Sequence, residues 1–254
     1  IRSHTQHHWP AWLWRWHRRC LSSCWRIGAA AAWAGQSSAQ MRAMRKATLT
    51  ARGLSWRWPR RWLRFPQCTR CSLVPTHALP TSAAGTVGLR SRLPPAAVVE
   101  GFDVDAIALA AARSHASDLA SVVFTAADAA SLAERPANEF DVAFIFEALH
   151  DMPHPIALLR ALHHAVKPGG MVVIMDEAVA DAFAPNGDEI ERVMYGYSLF
   201  MCLPDGMSTP VSAQTGTVMR RPVLEGYARA AGFAGAEVLP IEGFGAFRFY
   251  ALSA

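Results

Sequence analysis

Three carboxylates and one imidazole carry the chemistry legible in this chain: Asp103, Asp128, Glu147 and His150. Each acid stands at or just past the end of an apolar run. The runs are Ala97-Val98-Val99-Glu100-Gly101-Phe102-Asp103, Val122 to Ala126 followed by Ala127-Asp128, and Phe140 to Phe146 followed by Glu147. If these runs are parallel strands, ligands bind outside their carboxyl ends, and the three acids surround one crevice. An ionised carboxylate only accepts hydrogen bonds, so such a crevice suits a ligand rich in donors and positive charge, with about 1.5–3 kcal/mol for each charged hydrogen bond. His150, whose imidazole titrates near neutrality when unperturbed, is the best-placed general base. A second reading stays open for two of the acids: Asp103 as the N-cap of the helix after it, and Asp128 as the cap of a turn over Ala129-Ala130-Ser131-Leu132.

The surrounding elements follow from periodicity. Val104 to Ser117 reads as an Ala-rich helix, and about Pro155 to Val166 as another. Lys167-Pro168-Gly169-Gly170 stops that second helix, and Met171 to Met175 supplies a fourth strand. Strands and helices alternating at this spacing predict an α/β fold with a parallel sheet. Further on, Asp188 to Cys202 reads as a helix carrying Tyr195, Tyr197, Phe200 and Met201, which serve as core or as pocket lining. Arg221 to Ala231 is a last helix ending at Gly232, and Ala236 to Leu239 with Ala246 to Leu252 form a closing strand pair.

With these motifs in this order, residues 96 to 254 resemble the class I S-adenosylmethionine-dependent methyltransferases, whose sheet is Rossmann-like. Val99-Glu100-Gly101-Phe102-Asp103 is similar to the family's second strand, whose terminal acid accepts from both ribose hydroxyls, with Val104 beside it. Ala127-Asp128-Ala129 resembles the segment that meets adenine, and Phe146-Glu147-Ala148-Leu149-His150 the loop beneath the sulfonium. Lys167-Pro168-Gly169-Gly170 is similar to the turn before the family's fifth strand. The resemblance implies S-adenosylmethionine as cofactor and a small-molecule methyl acceptor; His150 stays the candidate catalytic base on its position and chemistry alone. The resemblance also implies that no metal takes part, although His150, Asp151 and His154 are of metal-binding types; a His on this loop is read as structural. The C-terminal portion is similar to bacterial two-domain methyltransferases with an N-terminal winged-helix or dimerisation domain, which implies a homodimer in the intact form.

One family motif is missing from the place expected for it. About twenty residues before the ribose acid, a hydrophobic strand and a Gly-rich turn should cradle the cofactor. That window reads Pro80-Thr81-Ser82-Ala83-Ala84-Gly85-Thr86-Val87-Gly88-Leu89-Arg90-Ser91, with Gly85 and Gly88 but no strand before them. The expectation is an incomplete sheet that has lost its central member, leaving its neighbours unpaired and cofactor binding impaired.

Residues 1–95 differ in kind from the remainder. Ile1 to Val99 hold sixteen Lys and Arg and no Asp or Glu, whereas Gly101 to Ala254 hold nine against nineteen, so the net charge of +5 averages two unlike segments. All nine Trp lie between Trp9 and Trp62. The composition fits GC-rich coding DNA read out of frame or a disordered basic arm, and sets a domain boundary at residues 95/96. Arg and Trp interleaved as in Trp12-Leu13-Trp14-Arg15-Trp16 also fit a phosphate- and base-binding surface. The competing function is therefore a nucleic-acid-binding or regulatory protein with a non-catalytic Rossmann-like half; a dehydrogenase is a further enzyme reading. Cys20, Cys24, Cys68 and Cys71 are too loosely spaced for a compact zinc ribbon. No run of eighteen apolar residues predicts a membrane span, and the cysteine usage fits a reducing cytoplasm.

Overall fold

The computed structural model describes residues 96–241 and 246–254 in full and 70–74 as backbone. The described residues all belong to one unit, within Leu54–Ala254. Cys20, Cys24, Cys68, the Trp-rich stretches and Gly85 to Gly88 lie outside them.

In chain order the elements are β1 (Arg70–Val74), β2 (Val98–Asp103), α1 (Ala106–His115), β3 (Val122–Ala126), β4 (Phe140–Phe146), α2 (Pro155–Ala165) and β5 (Val166–Glu177). They continue as α3 (Glu189–Tyr197), α4 (Leu203–Gly206), α5 (Arg221–Ala231), β6 (Glu237–Val238) and β7 (Phe247–Ser253). Single 3-10 turns follow β3 and β4, and a π-helical turn, Ser198–Cys202, joins α3 to α4. The strands make one seven-stranded sheet in the order β3-β2-β1-β4-β5-β7-β6. Its first five members run parallel and β7 antiparallel, so the α/β fold expected from alternation is observed.

The expectation of a missing central strand is corrected. β1 lies between β2 and β4, with Cys71 in register with Val99 on one side and Val142 on the other. Strand pairing uses backbone groups that any residue but proline supplies, so a strand can form without a strong side-chain pattern. Arg70-Cys71-Ser72-Leu73-Val74 begins polar and lacks the continuous apolar run typical of a strand covered on both faces, which hid it in the sequence. It also lies further from Asp103 than the family spacing suggested, with residues 75–97 joining β1 to β2.

Alternation along β4, β5 and β7 fills both faces of the sheet. Phe140, Ala143, Ile145, Val172, Ile174, Tyr250 and Leu252 enter one core with Leu158, Leu159 and Leu162 of α2 and Leu224 and Ala228 of α5. Val142, Phe144, Val173, Met175 and Phe249 enter the other with Val99. Successive side chains thus point to opposite faces, and these runs are apolar throughout because both faces are covered. The turn expected at Lys167 to Gly170 is absorbed into an irregular start of β5, where the register against β4 shifts and Gly169 takes a left-handed φ of 79°. A Cβ on Gly170 would lie 2.6 Å from the Asp141 carbonyl oxygen, so only glycine lets these backbones approach.

Candidate active site

Since β2, β3, β4 and β5 run parallel, Asp103, Ala127-Asp128, Glu147 and Asp176-Glu177 all emerge at one edge of the sheet. Strand order reverses direction beside β1, and the crevice of an open α/β sheet opens at such a switch point. The site has two groups of residues.

The first group lies at the tips of β2 and β3. Asp103 is 6% exposed, and its Oδ1 accepts from the Asp105 backbone N–H at 2.9 Å. Helix α1 is capped by Asp105, which accepts from Ile107 N–H at 2.7 Å and Ala108 N–H at 3.4 Å. The cap reading of Asp103 therefore gives way: a different aspartate two residues on does that work, and Asp103 stands at the strand tip. Ala127 N–H donates to the Asp103 carbonyl at 3.0 Å, tying the two loops together. Asp128 does cap the turn that follows, accepting from Ala130 N–H at 2.9 Å through Oδ1. Ala129 is buried beneath that turn, and Val104 is exposed beside Asp103.

The second group lies at the tips of β4 and β5. Phe146 ends β4 half-buried, its ring 5.5 Å from that of Phe144 and 6.4 Å from that of Phe249. Glu147 follows in a left-handed conformation, φ 52°, with its N–H held by the Met175 carbonyl at 2.9 Å. A non-glycine residue costs about 1–3 kcal/mol there, so the bend that points Glu147 away from the strand is held by its surroundings. His150, on the 3-10 turn Leu149–Asp151, is 4% exposed. Its Nδ1 lies 2.9 Å from Asp176 Oδ1 and 3.4 Å from Glu177 Oε2, and its Nε2 lies 3.3 Å from Asp151 Oδ1. Cys202, on the π-helical turn, reaches the same imidazole. His154 is not part of either donor group around His150 among the described residues.

Charge in this second group is tightly interdependent. Burial opposes a charged His150, but the charge and hydrogen bond of Asp176 outweigh it and hold the imidazole pKa well above its usual value. Asp176, despite burial, is drawn below the usual carboxylate range by His150. Burial and then the Asp176 charge push Glu177 up to about 12. The same two causes raise Glu147 well above its ordinary value, and burial raises Asp151 and Cys202. The cluster is thus an imidazolium–carboxylate pair surrounded by carboxyls that favour their protonated forms.

Sequence reasoning did not single out Asp176, Glu177 or Cys202 for this site. Their only sequence signal is a pair of acids closing an apolar strand, since His150 and Asp176 are twenty-six positions apart.

Comparison with known proteins agrees with the geometry. Residues 82–172 match the family model described as a methyltransferase domain. A ubiquinone biosynthesis O-methyltransferase of Pseudomonas syringae pv. tomato is 39% identical over 77 residues, 30% of this chain and 33% of that protein. A ubiquinone/menaquinone biosynthesis C-methyltransferase of Coxiella burnetii is 31% identical over 140 residues, 49% of this chain and 56% of that protein. The chain thus spans about a third to about half the length of these relatives. Among solved structures, an O-methyltransferase family protein from Burkholderia thailandensis has a TM-score of 0.56 at 18% identity, covering 82% of this chain and 56% of its own. Human N-acetylserotonin methyltransferase has a TM-score of 0.53 at 17% identity, with 84% and 54% covered. Residues 82–172 thus match a methyltransferase domain, and the described sheet shares its fold with these solved methyltransferase structures.

Proposed function

We propose that this chain transfers a methyl group from S-adenosylmethionine to a small-molecule acceptor. The observation that carries this reading is Asp103, an acid at the tip of β2 beside the switch point, released from helix capping by Asp105. Asp103 would accept from the ribose hydroxyls, with Val104 alongside, and Ala127, Asp128 and Ala129 would line the adenine end. One Asp128 oxygen caps the turn, which leaves the other to take an exocyclic amine. Phe146 and Glu147 would lie beneath the sulfonium. The residues fit a cationic ligand in a further respect: Glu147 Oε1, Asp151 Oδ1 and Asp176 Oδ2 are buried acceptors without hydrogen-bond partners, and positive charge beside them offsets their repulsion.

Methyl transfer is an in-line displacement, and alignment of acceptor with sulfonium supplies much of its acceleration. The bound cofactor supplies the electrophilic methyl group; the protein holds it, orients the acceptor and handles the acceptor's proton. His150 and its carboxylates form the acceptor end of the site. Replacing His150 by Asn is expected to lower kcat by about 10²–10⁴-fold with little change in cofactor affinity. The activity is tested by incubating the full chain with methyl-labelled S-adenosylmethionine and a panel of phenols, amines and thiols. Label in one acceptor class supports the reading, and cofactor turnover with none of them overturns it.

The nucleic-acid alternative rested on residues outside the described part, and nothing in the crevice favours it. No helix among the described residues is long and apolar enough to cross a membrane. A cytoplasmic location and a homodimer complete the proposal; light scattering on the purified chain tests the dimer.

A further inference from the structure

Two sets of donors converge on His150, and one has the spacing of a metal-ion shell. We propose that His150 Nδ1, Asp176 Oδ1 and Glu177 Oε2 bind a divalent transition-metal cation of the Zn2+ or Mn2+ class, at the ends of β4 and β5. This departs from the expectation that no metal takes part. Two donors each about 2.1 Å from an ion lie about 3.0 Å apart at a right angle and about 3.4 Å apart at the tetrahedral angle. Asp176 Oδ1 and Glu177 Oε2 lie 2.9 Å and 3.4 Å from Nδ1. One donor atom from each of the three residues falls within 4.8 Å of the other two.

A second observation is independent of that spacing. Glu177 is 5% exposed, and its Oε2, the oxygen that faces Nδ1, has no hydrogen-bond partner; the same is true of Oδ2 of Asp176, which is 0% exposed. Two carboxyls buried side by side are costly unless a proton or a cation lies between them, and no lysine or arginine is among the groups that act most strongly on either acid. A divalent cation satisfies both acids at once. One imidazole with two carboxylates is a borderline N/O set that suits Zn2+ or Mn2+. Asp151 Oδ1 lies 3.3 Å from Nε2, on the opposite side of the ring from Nδ1, and Cys202 groups with Asp151 and not with the two acids.

The use of this ion rests on the methyl-transfer reading; its existence does not. An acceptor hydroxyl bound to the cation loses its proton to solvent more readily. Its oxygen then forms the bond to the methyl carbon as the sulfur–carbon bond breaks, and the cofactor leaves as a neutral thioether. His150 is then a ligand and not the base.

The test is calorimetric titration of the chelator-stripped full chain with ZnCl2 and with MnCl2, without cofactor. The expected result is about one ion per chain, with affinity at least about 100-fold weaker in Glu177→Gln and near wild type in Cys202→Ser. Far-UV circular dichroism checks that the variants fold, and Glu177→Asp, which keeps the carboxylate, stands in if Glu177→Gln does not. Absence of stoichiometric binding to the wild type, unchanged affinity in Glu177→Gln, or dependence on Cys202 would each overturn the site. Cofactor binding without metal binding sinks this inference alone; metal binding without cofactor binding sinks the methyl-transfer reading alone.

Discussion

The β2–β3 tips and the β4–β5 tips present acids to the same crevice by opposite means. At β2 and β3 the carboxylates are organised locally: Asp105 and Asp128 cap the turns after them, and Asp103 accepts from an N–H two residues away. At β4 and β5 the carboxylates are organised across the sheet, with Asp176 reaching His150 from the neighbouring strand and Glu147 held by the Met175 carbonyl. The first half can lose a side chain and keep its neighbours' charges; the second cannot. The proposed cofactor half is therefore expected to tolerate substitution, and the proposed acceptor half is not.

The largest effect is expected at Asp176. Asp176→Ala removes the partner of a buried imidazolium and should cost about 3–5 kcal/mol, read from urea unfolding at neutral pH. If the loss is below about 1 kcal/mol, the cluster is not the tightly paired unit described.

The next is Asp103→Asn, which keeps size and burial but removes the charge proposed to meet the ribose. Cofactor affinity should fall by about 1.5–3 kcal/mol, roughly 10–150-fold, with little change in unfolding midpoint. Asp105→Ala should do the reverse, costing about 1 kcal/mol of stability through the lost cap and leaving cofactor affinity in place. If the two aspartates exchanged these effects, the assignment of cap and ligand would be inverted.

The smallest effect is expected at Glu147. Its carboxyl is raised by burial and by Asp176, so the metal-free folded state holds a proton that the unfolded chain releases at neutral pH. Stability from this group is complete below the ordinary glutamate pKa and declines as pH rises towards the raised value. Glu147→Gln should therefore raise the thermal midpoint slightly at pH 7 and flatten its fall between pH 5 and 7, a difference that scanning calorimetry resolves.

The division between the two halves also governs what the sequence disclosed. Asp103, Asp128 and Glu147 were legible because each ends an apolar run, and strand ends of a parallel sheet share an edge. α5 was legible to the residue, bounded by Gly232 in a left-handed conformation. The His150–Asp176–Glu177 cluster was not, because its members meet only once β4 and β5 lie side by side. β1 escaped for a different reason: it pairs on both sides, while its five-residue sequence carries no strong strand pattern. The helix expected from Asp188 to Cys202 begins as read, with Asp188 accepting from Glu191 N–H at 2.7 Å, but its last turn is π-helical. That insertion, of a kind frequent at functional sites, places Cys202 against His150 and has no signature in composition.

The central claim, that this edge of the sheet holds S-adenosylmethionine, is tested most directly by equilibrium dialysis of the labelled cofactor against the full chain. The expected result is saturable binding of about one equivalent, displaced by S-adenosylhomocysteine and weakened at least about tenfold by Asp103→Asn. Absence of saturable binding, or binding indifferent to Asp103, would contradict it.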